Sequence, residues 1–222
     1  QIITSERNKT MENLLRVQTE QYEMLKTRII ESRRARHDFR HHRMVLKELA
    51  DRNDLHGIRT YLAEYSAEHV DTPSKTYSNN PTVNAVVAYY AGHAEAAGIR
   101  FTARVQLPEH LLIPDPIFCV LLGNLLENAV DACKTELSRG KDDQAIRVIV
   151  KQSGDACLSI AVDNTCSRKP IWDDDELVST KHEGHGVGTV SIRYIAQRYD
   201  GDARFEWRDG IFYASVMLNP QK

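Results

Sequence analysis

The chain has 222 residues and carries 29 lysines and arginines against 31 acids, a formal charge of -2. With 41% apolar and 27% charged residues it has the material for a folded core, which excludes a disordered or fibrous chain. The near balance of charge argues against direct nucleic-acid binding through a general basic coat, and no apolar run approaches the roughly 18 residues of a bilayer span.

In chain order, residues 1–70 contain no proline and one glycine, Gly57, and read as helical; residues 71–222 hold all seven prolines and the other ten glycines. Met11, Leu15, Gln18, Tyr22, Leu25 and Ile29 begin a 4-3 rhythm that continues through Ser32, Arg36, Phe39, Arg43, Leu46 and Ala50, the seam of a helix pair or bundle. A helix from about 5 to 52 would be roughly 70 Å long and could not bury that stripe alone. Asn53-Asp54 offers a turn and a cap for a second helix to about His69. The expectation is a helical hairpin that pairs into a dimeric four-helix bundle. Residues 71–80 (DTPSKTYSNN) read as a linker, and residues 81–222 as a second domain.

Within that domain the pattern predicts a helix over 82–97 ending at Gly98, then a strand from Ile99 to Val105. A long helix follows over Pro116–Ser138, then strands near 145–152 and 156–163. An irregular stretch runs to Gly184, a helix covers 187–199, and strands at 202–207 and 211–218 are split by Asp209-Gly210. Consecutive antiparallel strands with segregated helices predict an α+β chain whose second domain is an α/β two-layer sandwich. Cys119, Cys133, Cys157 and Cys166 show no paired spacing and read as reduced thiols.

Three constellations carry candidate chemistry. On the helix 116–138, Asn124, Asn128 and Asp131 fall within about 60° of one another, opposite Leu122, Leu125, Leu126, Ala129 and Cys133. An asparagine carbonyl is a hard oxygen ligand suited to Mg²⁺, although the same pattern describes a solvated helix face. Gly184-His185-Gly186-Val187-Gly188 precedes a helix, where backbone N–H groups can approach phosphate; it lacks the strand and lysine of the Rossmann and Walker patterns. The approximately twenty residues of irregular chain before it suit a lid. Finally, RRARHDFRHHR at 33–43 places His37 and His41 one turn apart with Asp38 adjacent. That run reads as a basic surface stretch, as a His/His/Asp metal site, or as a nucleophilic histidine oriented by a carboxylate.

Together, in this order, the three segments resemble a sensor histidine kinase of two-component signalling. RARHDFRHH is similar to the phosphoacceptor box, LLGNLLENAVDAC to the N box, and HGVGTVSI to the glycine box of the GHKL-type ATPase domain. SNNPTVNAVVAYYAGHAEAAGI and VDNTCSRKP resemble the AgrC-like, quorum-sensing subgroup. The resemblance implies ATP and Mg²⁺ as cofactors, His37 as phosphoryl acceptor and Asp38 as its base or orienting partner. It implies Asn128 as the Mg²⁺ ligand assisted by Asn124, with Asp131 on the same binding face. Asp163 or Asn164 would contact adenine, and Lys181, His185, Gly186 and Gly188 would face the phosphates. It also implies a homodimer, a response regulator as partner, and a cytoplasmic portion of a membrane receptor joined to the membrane only through a sensor segment outside this chain.

Three departures stand out. The box that relatives build from an aspartate and glycines is VDNTC here, His41 stands where many relatives have Asn or Thr, and Thr189 stands where leucine is common. The altered box motivates an alternative, a catalytically weak nucleotide-binding dimerisation module.

Overall fold

The computed structural model describes residues 26, 30, 37–65, 75–108, 111–153, 157–173, 176–177 and 187–219. The chain forms two compact units, 1–69 and 70–222.

In the first unit, helix α1 covers 37–51 and α2 covers Leu55–Tyr65. The turn between them is built from its sequence. Asn53 takes a left-handed φ of 55°, its N–H donates to Ala50 O at 2.9 Å, and the Asp54 N–H donates to Leu49 O at 2.9 Å, the Schellman arrangement that closes a helix. Asp54 Oδ1 then accepts from the Gly57 N–H at 2.8 Å and caps α2. His42 Nδ1 and Tyr61 Oη, 2.7 Å apart, tie the two helices. The half-buried stripe of α1 is His42, Val45, Leu46 and Leu49, rotated from the expected Phe39, Arg43, Leu46, Ala50 seam. Phe39, Met44, Leu55 and Leu62 remain exposed, so packing within the hairpin uses one apolar face and leaves another open.

The second unit runs α3 (Pro81–Ala96), β1 (Arg100–Gln106), α4 (Asp115–Ser138), β2 (Ala145–Ser153), β3 (Cys157–Thr165), β4 (Trp172–Asp173), β5 (Glu176–Leu177), α5 (Val187–Arg198), β6 (Asp202–Arg208) and β7 (Ile211–Leu218). Asn80 caps α3 by accepting from the Val83 N–H, with Pro81 in the first turn, and Gly98 at φ 76° releases the chain into β1. The five-stranded sheet has the order β1-β2-β3-β7-β6. Its inward residues alternate, as Leu158, Ile160 and Val162 do on β3, and α4 packs against that face with α3 and α5 on either side. Asp209 and Gly210, at φ 53° and 77°, make the tight turn between β6 and β7.

The expectation of consecutive antiparallel pairing fails at one edge. β1 and β2 are parallel, because α4 lies between them in sequence and acts as the crossover that parallel neighbours require. The stretch expected to be irregular also holds the short antiparallel pair β4–β5. By length and composition α4 is apolar enough to cross a membrane, yet Phe118, Leu121, Leu122, Leu125 and Leu126 are buried in the core, which explains its composition. Gly201 joins α5 to β6 where a Cβ would meet Met217 O at 1.9 Å, so only glycine fits.

Candidate functional site

A cavity of about 480 Å³ opens between α4, β3, the start of α5 and the β6–β7 pair. That volume lies within the roughly 300–1,000 Å³ of small-molecule sites. Its apolar side comes from Val162, Phe205, Phe212 and Ala214, with the two phenylalanine rings stacked at 6.3 Å. Its polar side comes from Asn128, Asp131, Thr135 and Glu136 on α4 and Asn164 on β3.

The structure places the three polar positions on α4 against different neighbours. Asn128 and Asp131 line the cavity. Asn124 instead donates from Nδ2 to Ser191 Oγ at 3.2 Å and ties α4 to α5. Gly188 on α5 stands against Asn128: a Cβ there would lie 3.2 Å from Nδ2 and 3.3 Å from Oδ1. The absent side chain is therefore what lets the first turn of α5 approach the carboxamide.

Strand alternation separates the two adjacent candidates on β3. Asn164 points with Val162 toward α4, is 3% exposed, and donates from Nδ2 to Thr165 O at 2.9 Å, which leaves its Oδ1 as an acceptor. Asp163 points to the other face of the sheet. It accepts from Arg147 Nε at 3.0 Å and Nη2 at 2.6 Å, and this pairing raises the Arg147 pKa.

Lys181, His185 and Gly186 lie outside the described residues. His37 and Asp38 belong to the first unit, where both are exposed; His37 Nδ1 lies 3.4 Å from Asp38 Oδ1. Among the described residues no group of three His, Cys, Asp or Glu side chains could hold a metal ion, which counts against a His37/Asp38/His41 metal site. All four cysteines are free thiols. Burial raises the pKa of Cys119, Cys133 and Cys166.

Sequence reasoning missed Glu136. Only 3% exposed, it accepts from the Ser167 hydroxyl and from the Ser167 N–H at 3.2 Å, and pairs with Arg139 Nη1 at 3.1 Å. The Ser167 hydroxyl lowers its pKa most; burial opposes, and the Ser167 N–H and Arg139 assist. The carboxylate anchors the loop after β3, whose residues Cys166, Arg168, Lys169, Pro170 and Ile171 wall the cavity. On the other side the Cys166 N–H donates to Gly210 O at 2.8 Å and Trp207 Nε1 donates to Cys166 O at 2.7 Å. The available signal was an acidic residue two turns after Asn128 on the same helix.

The residues present fit a nucleotide and its metal. An apolar slot suits a base, Asn128 offers a hard oxygen ligand, and Gly188, with no side chain, brings the first turn of α5 up against that carboxamide.

Residues 116–219 match the family described as the GHKL domain. A probable C4-dicarboxylate sensor kinase of Bacillus subtilis is 29% identical over 122 residues, covering 53% of this chain and 22% of that protein. The chain thus spans about a fifth of that relative's length. Among solved structures, the catalytic domain of the histidine kinase ThkA, in a nucleotide-free form, is 16% identical with a TM-score of 0.50, covering 66% of this chain and 97% of the other. At that identity the likeness shows the fold alone, an α/β sandwich.

Proposed function

We propose that this chain, whose residues 116–219 are a GHKL domain, is the kinase portion of a sensor histidine kinase of two-component signalling, of the AgrC-like subgroup. The observation that carries the reading is the cavity shared by Asn128, Gly188 and Asn164. Adenine stacks in the slot of Phe205 and Phe212, and Asn164 Oδ1 accepts from its exocyclic amine. Asn128 presents its carbonyl oxygen to Mg²⁺, and Gly188 admits the phosphates beside it. Bound Mg²⁺ supplies charge neutralisation on the phosphates. Lys181, His185 and Gly186 belong to the same phosphate-facing segment in this reading.

His37 is the acceptor. The Asp38 carboxylate holds the Nδ1 proton and so leaves the lone pair on Nε2 for attack. Two copies pair through the hairpin faces that carry Phe39, Met44, Leu55 and Leu62, and a response regulator takes the phosphoryl group on an aspartate. In the whole receptor this portion lies on the cytoplasmic side, and residues 71–80 link the helices to the ATPase domain.

The test is incubation with γ-labelled ATP and Mg²⁺. Acid-labile, base-stable label that disappears in His37→Gln is the expected result; label that persists in that variant assigns the acceptor elsewhere. Nucleotide binding without any phosphohistidine would favour the alternative, a nucleotide-binding dimerisation module, for which the altered VDNTC segment speaks.

A further inference from the structure

The kinase reading gives His41 no task, yet among the described residues His41 stands against the reacting nitrogen. His41 Nε2 lies 3.2 Å from His37 Nε2, with the ring centroids 4.4 Å apart and the planes tilted by 60°. On the far side of the His37 ring, Nδ1 lies 3.4 Å from Asp38 Oδ1. An ionised carboxylate only accepts, so that contact places a proton on His37 Nδ1. The neutral ring then carries its lone pair on Nε2. Two lone pairs facing each other at 3.2 Å would repel, so His41 must supply an Nε2–H and keep its own lone pair on Nδ1.

We propose that His41 is a positioning residue that restrains the phosphoacceptor: its Nε2–H engages the His37 Nε2 lone pair, and phosphoryl transfer starts when that contact is released. The proposal rests on the reading of His37 as acceptor. In the transfer, a bond forms between His37 Nε2 and the γ-phosphorus of ATP. The bond from that phosphorus to the bridging oxygen breaks, and its electron pair leaves with ADP. The Nδ1 proton passes to Asp38. His41 keeps its own proton throughout, and its N–H is then free to donate to the new phosphoryl oxygens. The i,i+4 spacing makes this geometry a property of the helix itself, since side chains one turn apart lie on one face.

The test uses the full chain labelled with ¹⁵N-histidine, at a pH where both rings are neutral. Long-range ¹H–¹⁵N correlations should show His37 protonated on Nδ1 with a bare Nε2, and His41 protonated on Nε2. A His37 ring protonated on Nε2 overturns the proposal. In the kinetic arm, His41→Ala should raise the initial rate of His37 labelling at saturating ATP about 2- to 5-fold, the effect of losing one exposed hydrogen bond, with KM for ATP unchanged. His41→Asn, whose carboxamide N–H can replace the donor, should return the rate to within about 2-fold of wild type. A slower His41→Ala variant, or a His41→Asn variant that behaves like it, overturns the restraint. If the wild-type chain forms no phosphohistidine while the ring pattern is as expected, the kinase reading fails and the ring pairing stands.

Discussion

Gly188 and Asn128 sit so close that a single methyl group between them would press on the carboxamide, at 3.2 Å from Nδ2 and 3.3 Å from Oδ1. This is the point where α5 meets the polar face of α4. It makes the size of residue 188 a direct control on the orientation of Asn128.

Gly188→Ala is therefore expected to weaken Mg²⁺-ATP binding by about 1–2 kcal/mol, roughly 5- to 30-fold, with Gly188→Val worse. Titration calorimetry with ATP and Mg²⁺ checks it. An unchanged Kd in the valine variant would show that the carboxamide is not what the nucleotide meets.

Asn164 and Asp163 should separate cleanly. Asn164→Ala removes the cavity-side acceptor and should cost roughly tenfold in ATP affinity, about one hydrogen bond. Asp163→Asn breaks only the contact with Arg147 on the opposite face and should leave Kd within about 2-fold, as expected of a partly exposed ion pair. Nucleotide titrations on both variants decide it, and the reverse pattern would move adenine recognition to Asp163.

Glu136 gives the second unit an acid limb. Its folded pKa lies below its ordinary value of 4.5, so the folded domain binds fewer protons than the unfolded chain in that range. The stability it contributes is present above about pH 4.5 and is lost as the pH falls through the depressed folded value. Urea unfolding across pH 3–7 should show Glu136→Gln less stable than wild type at neutrality by about 2 kcal/mol, the scale of a charged hydrogen bond, with a shallower loss toward acid. Parallel acid limbs in the two proteins would contradict this.

Gly201→Ala should destabilise the second unit by more than about 3 kcal/mol, because the methyl group would overlap a backbone carbonyl that belongs to β7. Thermal unfolding reads it. A small loss would mean that the α5–β6 junction can shift away from Met217.

Much of the fold was legible because its local signals agree. Proline at the first turn and glycine after the last place α3 where the sequence put it, and Asp209-Gly210 marks the β6–β7 turn. The polar face of α4 was legible from its period, but its partners were not. Whether Asn124 faces a ligand or a neighbouring helix depends on where α5 packs, which no spacing within α4 encodes. That Asn164 and not Asp163 turns inward was within reach: extending the Leu158, Ile160, Val162 alternation by one step gives it. The parallel β1–β2 pairing and the Glu136–Ser167 contact stayed hidden for a common reason. Both join segments distant in the chain, and the local signals they leave, a helix between two strands and an acid two turns after Asn128, do not by themselves name the partner.

That parallel pair has a consequence for motion. The helix bearing Asn128 lies within the connection between one edge strand of the sheet, β1, and its neighbour β2, so peeling that border away tugs on the helix that lines the cavity. Occupancy of the cavity should then be felt at a distance, as slower amide deuterium uptake along Phe101–Val105, strand positions that do not line it.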